Sequence, residues 1–165
     1  MHLDPDFECL TYGDNGARRG APMKLLAEGD LLVFYGGLRP AQPSEHNLVY
    51  ALMGLFVVHD VSNVMGVPDD RRYENAHLRK LKVGESDIVV RAKRGESGRF
   101  HRCIPIGSYR KRAYRVRPDI LDAWGGLSVK DGFIQRSAVP PSLCNVERFL
   151  RWYRKQDVQL IDRNN

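Results

Sequence analysis

The sequence has few cysteines, no long apolar run and no secretory signal. Its 165 residues include three cysteines, at positions 9, 103 and 144, and no C-x-x-C pair. An odd number of widely spaced cysteines argues against a disulfide framework and is typical of proteins of the reducing cytoplasm. The lack of a C-x-x-C pair argues against a zinc site. No apolar run approaches the roughly 20 residues that span a bilayer, and the N-terminus lacks the basic and apolar regions of a signal peptide. A membrane partner is therefore not expected.

Common catalytic motifs are also missing. The chain contains no G-x-S-x-G elbow, no P-loop and no H-E-x-x-H pair, so the usual sequence signatures of nucleophilic, nucleotide-hydrolysing and zinc-dependent enzymes do not occur. We therefore assign no catalytic residue, expect no cofactor and favour a non-enzymatic function.

The distribution of charge is the most uneven property of the chain. Residues 1–70 carry 4 Lys/Arg and 10 Asp/Glu, whereas residues 71–165 carry 22 Lys/Arg and 10 Asp/Glu, which together give the net charge of +6. A basic half of this kind predicts a polyanionic partner, most simply DNA or RNA. A solvated basic surface and an acidic partner protein are the alternatives.

The pattern of apolar residues predicts a single α+β domain over residues 1–165. Residues 1–24 are rich in turn-forming residues and read as irregular. Strands are predicted at 31–36, 47–59, 87–92, 100–106 and 113–116, and helices at 71–80, 118–124 and 146–156. Asp69 or Asp70 is expected to cap the first helix and Asn145 the last. Cys103 is predicted to be a buried apolar residue.

Two groups of basic residues are candidates for phosphate binding. The turn at Gly13 is followed by two arginines, a combination of backbone donors and guanidinium groups that suits a phosphate, and Tyr12 beside it could stack on a base. After residue 90, arginines alternate with aromatic residues, which is typical of single-strand or flipped-base surfaces. The predicted phosphate-binding residues are Arg18, Arg19, Arg94, Ser97, Arg99, Arg110, Lys111, Arg112 and Arg115.

An acidic cluster at the N-terminus offers an alternative chemistry. His2, Asp4, Asp6 and Glu8 alternate, so an extended chain would place them on one face. Such a face could hold a hard divalent cation, which would make the protein a metal-dependent enzyme that modifies nucleotides or cleaves nucleic acid. Capping of turns is the structural alternative for the same residues.

Two glycine-containing strands carry a resemblance to a known superfamily. Gly29-Asp30 precedes an apolar strand that ends in Phe34-Tyr35, and Gly54 interrupts the apolar run 53–58. This order resembles the PUA-like barrels of the EVE, ASCH and YTH kind. The resemblance implies a small, partly open β-barrel with short peripheral helices and a C-terminal helix. It also implies a ligand pocket at the end of the first strand, and the predicted base-pocket residues are Tyr12, Phe34, Tyr35, Gly36 and Trp124.

A narrower resemblance rests on three motifs. These are His2-Leu3-Asp4-Pro5-Asp6, Gly29-Asp30-Leu31-Leu32-Val33-Phe34-Tyr35, and Ser97-Gly98-Arg99 followed by Ile104-Pro105-Ile106. Together they resemble the nucleotide-modification-associated domain family of the third type, over residues 2 to about 137. The resemblance implies a role around modified bases, in systems that install, read or restrict them. Members of that family usually carry a further strand segment before the first motif. Either the barrel lacks that strand here, which would leave a sheet edge open, or the start of this sequence is internal, or the chain belongs to a shorter subfamily.

These features predict a nucleic-acid-binding module that recognises a modified or flipped base. The base would leave its stack and enter the aromatic pocket, while the basic residues hold phosphates.

Phosphate contacts make affinity depend on salt. We expect the logarithm of the association constant for an oligonucleotide to fall linearly with the logarithm of salt concentration, with a slope of about −0.7 to −0.9 per phosphate contacted, because each contact releases condensed counterions. Fluorescence anisotropy titrations at several salt concentrations measure this slope. An affinity that stays flat between low and moderate salt would contradict the predicted phosphate contacts.

Overall fold

Strands formed by the apolar runs of the sequence dominate the structure. The computed structural model describes residues 4–40, 48–135 and 140–164, and the side chains of Arg18 and Arg19 lie outside this description. The strands are β1 (Thr11–Asp14), β2 (Leu31–Leu38), β3 (Val49–Asn63), β4 (Ile88–Ala92), β5 (Gly98–Pro105), β6 (Gly107–Arg110), β7 (Ala113–Val116) and β8 (Leu160–Ile161). The α-helices are α1 (Pro118–Trp124) and α2 (Val146–Arg154), and 3₁₀ helices cover Arg18–Leu25, Val64–Gly66, Asp69–Glu74, Ala76–Arg79 and Lys130–Gly132. The protein has a small α+β fold, as predicted.

Six of the strands form one sheet. Their order is β1-β4-β3-β5-β8, with β2 also paired to β3, while β6 and β7 form a separate hairpin. The antiparallel pairing of β3 with β4 shifts register between Val58 and Asp60, which marks a bulge that increases local twist. The strands that the structure describes form no closed barrel, and the PUA-like architecture stays a prediction.

The chain divides into two compact units. The first comprises Met1–Phe34, Gly54–His101 and Leu160–Asn165, and the second comprises Tyr35–Met53 and Arg102–Gln159. Strands β2, β3 and β5 therefore contribute residues to both units. One domain over residues 1–165 stays a prediction.

The core of the first unit is aromatic. The rings of Phe7, Phe34 and Phe56 pack edge to face, with centroids 4.7–5.6 Å apart, and Leu10 completes the buried cluster. Edge-to-face contacts of this kind add to the free energy gained by burying apolar area. The N-terminal segment is thus packed against β2 and β3, although its sequence reads as irregular.

The second unit has its own aromatic core between its two helices. Trp124 at the end of α1 packs edge to face on Phe149 and Trp152 of α2, with ring centroids 5.3 and 5.2 Å apart. Asn145 caps α2 by accepting a hydrogen bond from the Arg148 N–H at 2.9 Å, which confirms the predicted cap.

Several sequence predictions are confirmed and others are wrong. The described residues confirm the strands β2 to β5 and β7 and the helices α1 and α2, with small shifts of their ends. The prediction of an irregular segment over 1–24 is wrong at β1 and at Arg18–Leu25. Cys103 is exposed, contrary to the prediction, because alternation along β5 buries Ile104 instead. Residues 41–46, between the first two predicted strands, and residue 47 of the second predicted strand lie outside the described residues.

The predicted helix over 71–80 is wrong in kind. The segment forms two 3₁₀ helices separated by Asn75, whose backbone is extended with φ −150° and ψ 151°. The first helix begins after Pro68 without a side-chain cap, so Asp69 and Asp70 do not cap it. The Asn75 side chain instead accepts a hydrogen bond from the His77 N–H. Such local side-chain-to-backbone hydrogen bonds compete with helical ones, so the helix is interrupted at Asn75.

A buried ion pair fixes this segment in place. The Arg91 guanidinium of β4 donates to Glu74 at 2.8 Å and to Asp60 at 3.1 Å, and its side chain is only 10% exposed. Burial by itself would raise the pKa of Glu74, but hydrogen bonds from Arg91 and Arg71 hold that pKa below its ordinary value. The charges of Arg91 and Glu74 are thereby mutually compensated in the interior.

No helix among the described residues has both the length and the apolar composition that a membrane span requires.

We expect Glu74→Gln to lower the free energy of unfolding by about 2 kcal/mol, because it leaves the buried Arg91 charge with the 39% exposed Asp60 as its remaining carboxylate partner. Urea denaturation at pH 7 measures the change. The matched control is Arg71→Ala, which removes the exposed partner of the same carboxylate and should cost much less. Equal losses in the two variants would contradict a dominant role for the buried pair.

The lowered pKa of Glu74 also predicts how the stability of the protein depends on pH. Its pKa is lowered in the folded state, so its contribution to stability is present above the pKa of the unfolded chain and is lost as the pH falls through the folded value.

Candidate functional site

A polar pocket lies in the first unit beside β1. Its volume is about 380 Å³, which is within the range of small-ligand sites. The residues that line it are Asp4, Tyr12, Gly13, Asp14, Asn15, Ala17, His77 and Lys80. Two carboxylates, one ammonium group, an imidazole and a phenol thus face one cavity.

Three distant stretches of the chain build this pocket. Asp4 accepts a hydrogen bond from the Gly13 N–H at 2.8 Å with one carboxylate oxygen, and its other oxygen lies 3.3 Å from His77 Nε2. Gly13 is required here, because a Cβ atom at this position would lie 2.5 Å from both Asn75 Oδ1 and His77 Cγ. The absence of a side chain lets the 3₁₀ helix of His77 approach the strand.

Hydrogen bonds to β1 hold that helix against the strand. Thr11 Oγ1 donates to the Glu74 carbonyl at 2.6 Å and accepts from Asn75 Nδ2 at 3.1 Å. Both Thr11 and Asn75 are buried, so these bonds are shielded from competing water. The position of His77 in the pocket follows from this anchor.

Tyr12 is the aromatic wall of the pocket. Its ring packs against Phe34 with centroids 5.6 Å apart. Burial and the nearby charges of Asp14 and Asp4 raise the pKa of Tyr12 to about 12, and a hydrogen bond with Asp14 adds to the shift. The phenol is therefore protonated at neutral pH and remains a hydrogen-bond donor.

A cluster of cations surrounds one carboxylate in the second unit. Asp131 pairs with Arg110 at 2.6 Å, with Lys111 at 2.9 Å and with Arg115 at 3.8 Å. Hydrogen bonds from Arg110 and Lys111 lower the pKa of Asp131 to about 2. Three positive charges and one negative charge leave an excess of two positive charges, and we call these four residues the Asp131 cluster.

The three cations of the Asp131 cluster lie on the hairpin β6–β7, and Asp131 itself lies in the 3₁₀ helix Lys130–Gly132. Lys111 and Arg112 form the two-residue turn of the hairpin, and both have positive φ, at 52° and 60°. Two-residue turns of this type favour Asn-Gly, because other side chains are strained there. The Lys111 side chain is 72% exposed, so the strained turn presents positive charge to solvent.

A second pocket adjoins the Asp131 cluster. Its volume is about 410 Å³. Two cations and two carboxylates line it together with apolar residues of α1 and the Gly125-Gly126 turn, and these charged residues are Arg110, Arg148, Asp122 and Asp131. Gly125 and Gly126 end α1 with positive φ, as C-terminal caps commonly do. Arg148 of α2 donates hydrogen bonds to the Asp122 and Ala123 carbonyls, so its guanidinium is fixed at the end of α1.

The predicted phosphate-binding residues fall into two sets. In the first unit, Arg94 pairs with Asp162 at 3.2 Å, and Arg99 donates to the Arg163 carbonyl. Ser97 is buried and accepts a hydrogen bond from the Val57 N–H. The backbone of Arg18 and Arg19 begins a 3₁₀ helix. In the second unit, Arg110, Lys111, Arg112 and Arg115 lie together on the β6–β7 hairpin.

The predicted base-pocket residues also divide between the units. Tyr12 and Phe34 are neighbours in the first unit. In the second unit, the half-buried Tyr35 donates to the Ile134 carbonyl at 3.3 Å, and Trp124 is 3% exposed in the helix core. Gly36 faces Met53, whose Cε would lie 3.3 Å from a Cβ at this position. One base pocket formed by all five residues stays a prediction. Of the five, Tyr12 lines the 380 Å³ cavity.

The alternative metal ligands do not share one set of contacts. His2 lies outside the described residues. Asp6 Oδ1 accepts from the Glu8 and Cys9 N–H groups at 3.0 Å, as in a turn cap, whereas Asp4 is directed to Gly13 and His77. Within the described part of the chain, no group of three His, Cys, Asp or Glu side chains could hold a metal ion.

Sequence reasoning missed several residues of these sites, among them His77, Lys80, Asp131 and Arg148. His77 and Lys80 were assigned to a helix, and Asp131 pairs with residues 16 to 21 positions earlier in the chain. The Asp131-Gly132 dipeptide is a turn signal, but no local pattern identifies the cations that it meets.

Comparison with known families identifies the chain. A family model described as nucleotide modification associated domain 3 matches residues 1–142. The chain belongs to the nucleotide modification associated domain 3 family. The match includes β1 to β7 and α1, and it ends before α2. Both pockets of this family member are therefore formed mainly by matched residues. No curated protein and no solved structure matches the chain.

The Asp131 carboxylate should titrate near pH 2 rather than at its ordinary value of 3.8. Its stabilising contribution is present above 3.8 and is lost as the pH falls through about 2. Carboxyl ¹³C NMR detects this titration.

In the variant Arg110→Met, the midpoint of the Asp131 titration should move back towards pH 3.8, because the hydrogen bond from Arg110 to the carboxylate is lost. Arg112→Met is the matched control on the same turn and should leave the midpoint unchanged, since Asp131 pairs with Arg110, Lys111 and Arg115. An unchanged midpoint in Arg110→Met would contradict the assigned pair.

Proposed function

We propose that this protein is a nucleic-acid-binding module of a base-modification system, which recognises a modified or flipped base in DNA or RNA. Membership of the nucleotide modification associated domain 3 family supports the setting. The observation that carries the binding proposal is the Asp131 cluster, whose cations lie on a hairpin with a strained turn that exposes Lys111 and one further basic residue, Arg112. The proposed role is recognition, and no catalytic residue is assigned.

The Asp131 cluster suits a phosphate backbone because its cations are ordered before binding. Asp131 fixes Arg110 and Arg115, whose side chains are 22% and 16% exposed. The guanidinium of Arg115 also lies 5.3 Å from the centroid of the Phe133 ring. Side chains that are already ordered lose little conformational entropy when they bind. The excess of two positive charges attracts a polyanion and releases counterions from it.

The strained turn adds a separate argument. Backbone conformations with positive φ in residues other than glycine are costly and are found preferentially at functional sites. A purely structural hairpin would be more stable with Asn-Gly at this turn. Lys111 and Arg112 instead place two long cationic side chains at its tip, where they would contact phosphates.

The base would bind beside aromatic residues. Tyr12 lines a cavity of suitable size, and a tyrosine ring can stack on any base. Phe34, which packs against Tyr12 within the first unit, belongs to the same proposed pocket. This arrangement accords with the PUA-like resemblance of β2 and β3, which we retain as part of the proposal.

Replacing the Lys111-Arg112 turn of the β6–β7 hairpin separates the effect of its charge on binding from its effect on stability. We expect the double substitution Lys111→Asn/Arg112→Gly to preserve or raise the melting temperature, since Asn-Gly is the preferred pair for this turn. The same change should weaken oligonucleotide binding and make the salt dependence shallower by about one to two phosphate contacts, because two cations are removed. Thermal melting and anisotropy titrations measure both effects.

Lys82→Asn is the matched control, because Lys82 is exposed and lies outside both pockets. It should change neither the salt slope nor the melting temperature appreciably. Unchanged affinity and slope in the double variant, with a native melting curve, would contradict the assignment of the hairpin to phosphate binding.

A further inference from the structure

The 380 Å³ pocket contains polar groups that stacking alone does not use. Its charged groups are the carboxylates of Asp4 and Asp14 and the ammonium group of Lys80, with His77 beside them. Apart from the imidazole, the formal charge is −1, in a protein of net charge +6. A phosphate is therefore disfavoured in this cavity, whereas a ligand that donates hydrogen bonds is favoured.

Asp14 provides the acceptors. Its Oδ1 accepts a hydrogen bond from the Gly16 N–H at 2.8 Å, and the same carboxylate contributes to the raised pKa of the neighbouring Tyr12 phenol. An ionised carboxylate has about four acceptor positions on its two oxygens. Asp14 therefore has capacity to accept further hydrogen bonds from a ligand in the cavity that it lines.

Lys80 provides a donor on the same cavity. Its Nζ lies 3.4 Å from Asp87 Oδ2, and its side chain is 33% exposed. The ammonium group has three donors, so the contact with Asp87 positions it without using all of them. The pocket thus combines an acceptor-only carboxylate with a donor-only ammonium group and the Tyr12 ring.

Among the standard bases, guanine presents the complementary edge. Its N1–H and N2–H donors are adjacent, and its O6 acceptor lies next to them. Adenine and cytosine place one amino group beside a ring acceptor, which suits an amide side chain better than a carboxylate. Thymine and uracil have one N–H between two carbonyl groups.

We infer that this pocket binds the hydrogen-bonding edge of a guanine-type base, with Asp14 accepting from the ring and amino N–H groups and Lys80 donating to the carbonyl oxygen. Tyr12 supplies the stacking surface. The inference rests on the proposed function, since it names the class of base that the module reads. It adds a specificity determinant, Asp14, and a second polar contact, Lys80.

Nucleosides without phosphates test the pocket separately from the Asp131 cluster. Guanosine, inosine, adenosine and uridine are titrated into the full chain, and amide chemical shifts are followed by ¹H–¹⁵N NMR. We expect guanosine to shift the amides of Gly13, Asn15 and Ala17. Inosine lacks only the exocyclic amino group, and it should bind about tenfold more weakly because one hydrogen bond to a charged acceptor is lost.

The variant Asp14→Asn keeps an oxygen for the Gly16 N–H and replaces the other carboxylate oxygen with a donor. It should abolish the preference for guanosine over inosine, whereas Lys82→Asn should retain it. No binding of guanosine to the wild type, equal affinity for all four nucleosides, or an unchanged preference in Asp14→Asn would each overturn the inference. The wild-type comparison decides the matter even if Asp14→Asn does not fold.

The two proposals fail in different ways. Salt-dependent oligonucleotide binding without any guanosine preference would overturn the guanine assignment and leave the proposed function standing. A guanosine preference without oligonucleotide binding would support the pocket and contradict the nucleic-acid module.

Discussion

The buried guanidinium of Arg91 is the constraint on which the first unit depends. A buried charge is costly unless it is paired, and Arg91 finds Glu74 and Asp60 at 2.8 and 3.1 Å. Glu74 directly precedes Asn75, which hydrogen-bonds to β1 and caps the 3₁₀ helix of His77. Pairing this one charge therefore holds the helix against β1 and forms one wall of the 380 Å³ pocket.

The second unit uses a carboxylate in the opposite way. Asp131 is accessible and gathers three cations from one hairpin, so it orders positive charge without neutralising it. Lys111 and Arg112 have strained backbone conformations, whereas a turn optimised for stability alone would contain Asn-Gly. Backbone strain of this kind is found preferentially at functional sites, and here it coincides with the basic tip of the hairpin.

The two sites have complementary electrostatics. The charged groups that line the pocket beside β1 are two carboxylates and one ammonium group, whereas the Asp131 cluster has an excess of two positive charges. In a nucleic acid the phosphate is anionic, whereas the base edge donates and accepts hydrogen bonds. This division of charge is consistent with the setting that the nucleotide modification associated domain 3 family implies.

The sequence by itself determined the apolar strands, the helices α1 and α2, the Asn145 cap of α2, the basic second half and the family, because each depends on local pattern or composition. It did not determine β1, a four-residue strand that is stabilised by pairing with β4, or the 3₁₀ geometry around Asn75, which long-range hydrogen bonds impose. Tyr12 was identified as a functional candidate, but its partners Asp4 and His77 are 73 positions apart and meet only in the fold. Tertiary structure decided which charges pair, because burial and pairing across the sheet leave no periodic signal in the chain.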